Sequence, residues 1–136
     1  MNKSSRRRFI TDTGKAAMAG SILLTGNAHH QPELKDMFVH HVYFWLKNKD
    51  SKEDLDKLIA GLKKLSAVKT IKQFQIGKPA DTNREVIDRS YAVSWLALFD
   101  NKTDQDSYQT DPIHLKFVEE CSALWTKVIV YDSVGV

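Results

Sequence analysis

Residues 37–47 carry apolar and aromatic side chains on both parities: Phe38, His40, Val42, Phe44 and Leu46 on one, Val39, His41, Tyr43 and Trp45 on the other. That density of β-branched and aromatic residues predicts a strand, and a strand apolar on both sides needs cover on both. After a turn at 48–50 the period changes. Leu55, Leu58, Ile59, Leu62 and Leu65 form the stripe of an amphipathic helix, with Ser51 placed to cap it and Asp54 three residues on. Residues 71–76 alternate again and predict a second strand, followed by a polar loop over 77–88. Residues 91–99 predict a third strand, apolar on both faces except at Ser94. Residues 103–110 suit a short helix, and Pro112 opens a longer one at the first position, where its missing N–H costs nothing. That helix is expected to reach about Thr126, with Phe117, Val118, Cys121, Leu124 and Trp125 along one face. Residues 128–134 predict the last strand.

The order strand, helix, strand, strand, helix, strand predicts a ferredoxin-like α+β domain (βαββαβ): a four-stranded antiparallel sheet with both helices on one face. The other face would stay open, yet the strands are apolar there too. A patch of that size calls for a partner, and a homodimer packing sheet against sheet would bury it.

Composition and charge narrow the picture. The chain has 136 residues, room for one domain, and its 42% hydrophobic and 27% charged content is that of a globular protein. The net charge of +3 is unevenly spread. Residues 1–28 hold Lys3, Arg6, Arg7, Arg8 and Lys15 against Asp12, leaving 15 basic and 16 acidic side chains for the rest. No basic stripe is left for a nucleic-acid partner.

The basic segment has its own logic. Ser5-Arg6-Arg7-Arg8-Phe9-Ile10 resembles the twin-arginine export motif, with Thr11 where a lysine often stands. A mildly apolar run over 16–25 follows, shorter than the roughly 20 residues a membrane-spanning helix needs, and then small residues at Gly26 and Ala28. Residues 1–28 are therefore expected to be an export signal, either cleaved after Ala28 or kept as a membrane tether, residues 29–36 a linker, and 37–136 the folded domain. Periplasmic or secreted location would follow, with the membrane met only through the signal. Cys121 is the single cysteine, so no internal disulfide can form.

His41-Val42-Tyr43-Phe44-Trp45-Leu46-Lys47, Tyr108 with Asp111-Pro112-Ile113-His114, Trp125, and Val128-Ile129-Val130-Tyr131-Asp132 together resemble the stress-responsive A/B barrel (Dabb) family over about 37–133. The resemblance implies a ferredoxin-like fold that dimerises into an α/β barrel. One plant branch of that family resembles a polyketide cyclase using a histidine and a tyrosine for acid–base chemistry. His114 and Tyr108 match that pair, and His41 matches a further pocket histidine. Val93 stands where those cyclases place another histidine, and Asp111 replaces the first histidine of their His-Pro-x-His.

Chemistry gives His114 a neutral imidazole, because it lies in the first turn of a helix where the dipole disfavours a cation. Asp132 shares a strand face with Val128 and Val130, and would orient His114 as a triad carboxylate orients its base. Tyr108 would donate to a developing oxyanion. Tyr43, Trp45, Trp95 and Trp125, with His41, would line a pocket for a small, partly apolar ligand. His40 and His41 are adjacent in a strand, point to opposite faces and cannot share a metal within one chain. Neither a metal nor a cofactor is expected. Two functional classes follow: a dimeric domain that binds a small ligand, or an acid–base enzyme of cyclase or lyase type.

Overall fold

A computed structural model of the chain describes residues 30–136; the expected export signal and the start of the linker lie outside these. Strand β1 (Phe38–Leu46) leads to helix α1 (Lys52–Leu65), then β2 (Gln73–Gly77) and β3 (Val93–Phe99). Helices α2 (Lys102–Thr110) and α3 (Pro112–Cys121) follow, then a 3-10 turn at Ser122–Leu124 and strand β4 (Trp125–Val134). The strands lie in the order β2-β3-β1-β4, each neighbouring pair antiparallel. Residues Pro32–Val136 form one compact unit. Among the described residues, no helix is long and apolar enough to cross a membrane.

Local chemistry explains the helix boundaries. Ser51 accepts the Asp54 N–H at 3.1 Å, and Asn101 accepts the Asp104 N–H at 2.8 Å. Asp111 closes α2 and caps α3, its carboxylate accepting the Ile113 N–H at 2.8 Å with Pro112 in the first turn. The apolar stripe of α1 buries Leu58, Leu62 and Leu65 against the sheet, each worth about 1.5–3 kcal/mol.

Burial alternates strictly along β1. Phe38, His40, Val42, Phe44 and Leu46 are buried beneath the helices, while Val39, His41, Tyr43 and Trp45 are half-buried on the other side. Opposite them in β4, Asp132 pairs with His40, Val130 with Val42 and Val128 with Phe44. Val42 and Phe44 therefore belong to the core and not to a surface for a partner sheet.

The C-terminal elements differ from the sequence expectation. Helix α3 stops at Cys121, and β4 begins at Trp125 rather than at 128. The Lys47 N–H bonds the Leu124 carbonyl at 3.0 Å, drawing the chain into the sheet. A register shift falls between Trp45, which faces Lys127, and Leu46, which faces Trp125. The extra residue, Thr126, makes a bulge that reverses the alternation. Without it Trp125 would point away from Val128's face; with it Trp125 packs at 5.0 Å from the Phe44 ring and 5.8 Å from Phe117.

Candidate functional site

A cavity of about 140 Å³ lies between the sheet and helices α2 and α3. Its walls are mostly apolar, including Val42, Phe44, Phe117, Trp125 and Val128, and its polar groups are His40, Trp95, Tyr108, Gln109 and His114. These polar side chains come from four elements, Tyr108 and Gln109 sharing α2. His40 comes from the buried parity of β1, and Trp95 from β3, where it stands opposite buried Val42 in register. Tyr108 stands in the last turns of α2, and His114 in the first turn of α3.

The cavity histidines have fixed tautomers. His40 Nδ1 lies 2.7 Å from Asp132 Oδ1. A carboxylate only accepts, so Nδ1 carries the hydrogen and Nε2 keeps a lone pair. His114 Nδ1 donates to the Gln109 carbonyl at 3.0 Å, and its Nε2 is likewise an acceptor. Tyr108 sits between the two rings, with centroids 5.6 Å from His40 and 4.6 Å from His114.

The expected Asp132–His114 pair does not form. Asp132 shares the helix-facing side of β4 with Val128 and Val130, as the alternation implied, but its direct neighbour across the ladder is His40. A helix-start histidine loses that competition to a strand partner in register. His41, matched by resemblance to a pocket histidine, points to the opposite face; the pocket histidine is His40.

Burial governs the ionisation of the site. It lowers the His114 pKa; donation to Gln109 opposes the shift, the neighbouring His40 adds to it and Asp111 counters. Burial also pushes the Tyr108 hydroxyl well above its usual value, so it remains a donor at any ordinary pH. The Trp95 indole N–H approaches Tyr108 closely enough to offset this slightly. It nevertheless forms no bond of acceptable geometry and is buried without a partner. Such an unpaired donor costs about 1–3 kcal/mol.

Of the ligand-lining expectations, Trp95 and Trp125 border this cavity, whereas Tyr43 and Trp45 do not. They line a separate hollow of about 290 Å³ on the other sheet face, with Asp88, Tyr91, Lys127, Ile129 and Tyr131. There Tyr43 and His41 share a hydrogen bond of 3.1 Å, and the Lys127 ammonium lies 4.5 Å over the Trp45 ring. Burial, then the charge of His40, lowers His41; burial, then Tyr91 and Tyr131, raises Tyr43. Among the described residues, no group of three or more His, Cys, Asp or Glu is placed to hold a metal ion.

Fold and cavity together define an α+β domain with a small, mostly apolar chamber lined by two histidines, a tyrosine and a tryptophan. The chain belongs to the stress responsive A/B barrel domain (Dabb) family, whose model matches residues 38–134. Among solved structures it is similar to a Dabb family protein with a ferredoxin-like fold from Mesorhizobium loti (TM-score 0.62, 22% identity, covering 74% of this chain and 97% of that one). It is also similar to a dimeric ferredoxin-like protein from Thermobifida fusca (TM-score 0.60, 16% identity, 77% and 99% covered). A third similar structure is the hydroxynitrile lyase from Passiflora edulis (TM-score 0.61, 21% identity, 75% and 94% covered). No curated protein matches the sequence.

Proposed function

We propose that this protein binds a small, partly apolar carbonyl compound in the helix-side cavity and moves a proton on it. The observation that carries this reading is the 2.7 Å bond from His40 to Asp132 at the wall of a chamber that also holds Tyr108 and His114. Asp132 holds His40 in the tautomer whose Nε2 can accept a proton, and its charge stabilises the imidazolium that results. His40 Nε2 takes a proton from the carbon beside the carbonyl. The electron pair left behind moves onto the carbonyl oxygen, where the Tyr108 hydroxyl supports the enolate. Returning the proton to carbon, or joining the enolate carbon to a second carbonyl whose new alkoxide takes the proton from His40, completes the step. His114 offers a second lone pair across the Tyr108 ring. The likeness to the Passiflora edulis lyase is compatible with such chemistry on this fold.

Deuterium exchange tests the reading without knowledge of the natural substrate. Cyclohexanone in D₂O should gain deuterium beside its carbonyl faster with protein present, by a factor that His40→Ala lowers about 10²–10⁴-fold. Exchange no faster than in buffer, with the ketone bound, would leave a ligand-binding module and remove the enzyme reading.

The same proposal places two protomers sheet to sheet, which would cover the half-buried apolar side of β1 and β3. The dimeric Thermobifida fusca structure supports this. It also assigns residues 1–28 to twin-arginine export. Replacing Arg6 and Arg7 by Lys should leave unprocessed precursor in the cytoplasm, and normal periplasmic yield of that variant would refute the assignment.

A further inference from the structure

The sheet face turned away from the helices carries a histidine at its middle. His41 stands half-buried on the inner strand β1, opposite Leu96 of β3 and Tyr131 of β4 in register. Its ring lies 4.4 Å from that of Tyr43, and its Nδ1 shares a hydrogen bond of 3.1 Å with the Tyr43 hydroxyl. The groups around it bring no counter-charge. Leu96 and Leu98 come from β3, with Gln75 of β2 beyond Leu96, and Tyr131 and Ser133 come from β4. Val39 and Tyr43 share its parity on β1, and His40 lies behind it on the helix side. Asp88, Tyr91 and Lys127 gather at the Trp45 end of the face, Lys127 four residues along β4 from Tyr131. His41 is therefore the one side chain on this face of a type that changes charge between about pH 5 and 8.

We infer that, in the sheet-to-sheet dimer on which this reading rests, His41 is a proton switch: two protomers associate with His41 neutral, and proton uptake on acidification separates them. An isologous interface uses the same patch twice, so each copy brings its own His41 and protonation puts two like charges into one apolar contact. Water solvates an imidazolium on the free face. Under a partner sheet the same cation would be buried among Val39, Leu96 and tyrosine rings with no carboxylate beside it. Burial, then the charge of His40, already lowers the His41 pKa in the single protomer, and cover by a second sheet lowers it further. Proton linkage sets the direction. Below the protomer's pKa the free chain holds a proton that the dimer must release, so association weakens as pH falls. With two protons released per dimer, the dissociation constant rises by up to about a hundredfold per pH unit.

Sedimentation velocity over a dilution series at pH 7.5 and pH 5.0 tests this, with circular dichroism to follow the fold. The wild type is compared with His41→Gln and His41→Phe, neither of which takes up a proton at that position. The wild-type dissociation constant should be at least about thirtyfold larger at pH 5.0, and that of either variant should change less than about threefold. A folded wild type whose constant changes less than about threefold, or variants that weaken as much as the wild type, would overturn the switch while leaving the dimer. Wild-type monomer at every concentration at pH 7.5 would overturn the dimer and the switch together. If the wild type unfolds at pH 5.0, or both variants are monomeric at pH 7.5, NMR of the wild-type His41 ring decides. Its titration midpoint should fall as protein concentration rises, and a midpoint independent of concentration would overturn the switch.

Discussion

At the scale of the residue, proximity across a β ladder decides the chemistry more than residue type does. Asp132 and His40 are opposite one another in register, so their side chains meet without bending either strand, whereas His114 is committed to the Gln109 carbonyl. Asp132→Asn should therefore release the His40 tautomer, giving mixed Nδ1–H and Nε2–H signals in nitrogen-15 spectra. The His114 titration should be nearly unchanged by it, and a large shift there would mean that Asp132 reaches His114 after all. His114 also links stability to pH. Burial lowers its pKa in the folded protein, so on acidification the unfolded chain takes up the proton first. The stabilising contribution is complete above the ordinary imidazole range and is lost as pH falls through that range toward the lowered value. The urea midpoint should drop between pH 7 and pH 5, and less so in His114→Gln; an equal drop in both proteins would remove His114 from the account.

Helix and strand contacts position these groups. Helices α1 and α3 approach closely at Gly61, where an added Cβ would come 2.5 Å from Cys121 Sγ and 3.2 Å from the Phe117 ring. In an open helix Gly→Ala is stabilising by about 1 kcal/mol, but here the clash reverses the sign, because overpacking costs about 1–3 kcal/mol. Gly61→Ala should lower the denaturation midpoint, and adding Cys121→Ala should restore most of the loss. If the double variant is no better than Gly61→Ala alone, Cys121 is not what limits the approach. Phe117 lines the cavity and contacts both Phe44 and Trp125, so the spacing of these helices also sets the shape of the chamber.

For the whole molecule, the two sheet faces have different work. The helix side holds core and chamber; the other side carries half-buried Val39, Tyr43, Trp45, Leu96 and Ile129. A homodimer through that side predicts that Leu96→Asp yields folded monomer, because an unpaired charge would have to enter the interface. Phe44→Asp should instead unfold the protein, since Phe44 is 3% exposed beneath the helices. Sedimentation with circular dichroism separates the two results. Wild-type protein sedimenting as monomer at micromolar concentration would rule out the sheet-to-sheet dimer.

The element order, the ferredoxin-like class and all four strands were legible in the sequence, because hydrophobic period and capping residues act over a few positions. Tyr108, His114 and Asp132 were legible as polar groups at the right elements, and Trp95 and Trp125 as aromatic lining. Strand polarity toward the helices was not, since β1 is apolar on both parities and alternation alone cannot say which parity meets the helices. Choosing the wrong one exchanges His40 for His41 and turns Val42 and Phe44 outward. The β4 bulge at Thr126 was hidden for a related reason: it depends on pairing with Trp45 and Leu46, some eighty residues away. The sequence by itself determined which residues form strands and helices and which chemical groups are present. Only the tertiary structure decided that His40 and not His114 takes the carboxylate, and that Trp95 keeps a buried donor unpaired. Both follow from register and packing between distant segments, which no local pattern encodes.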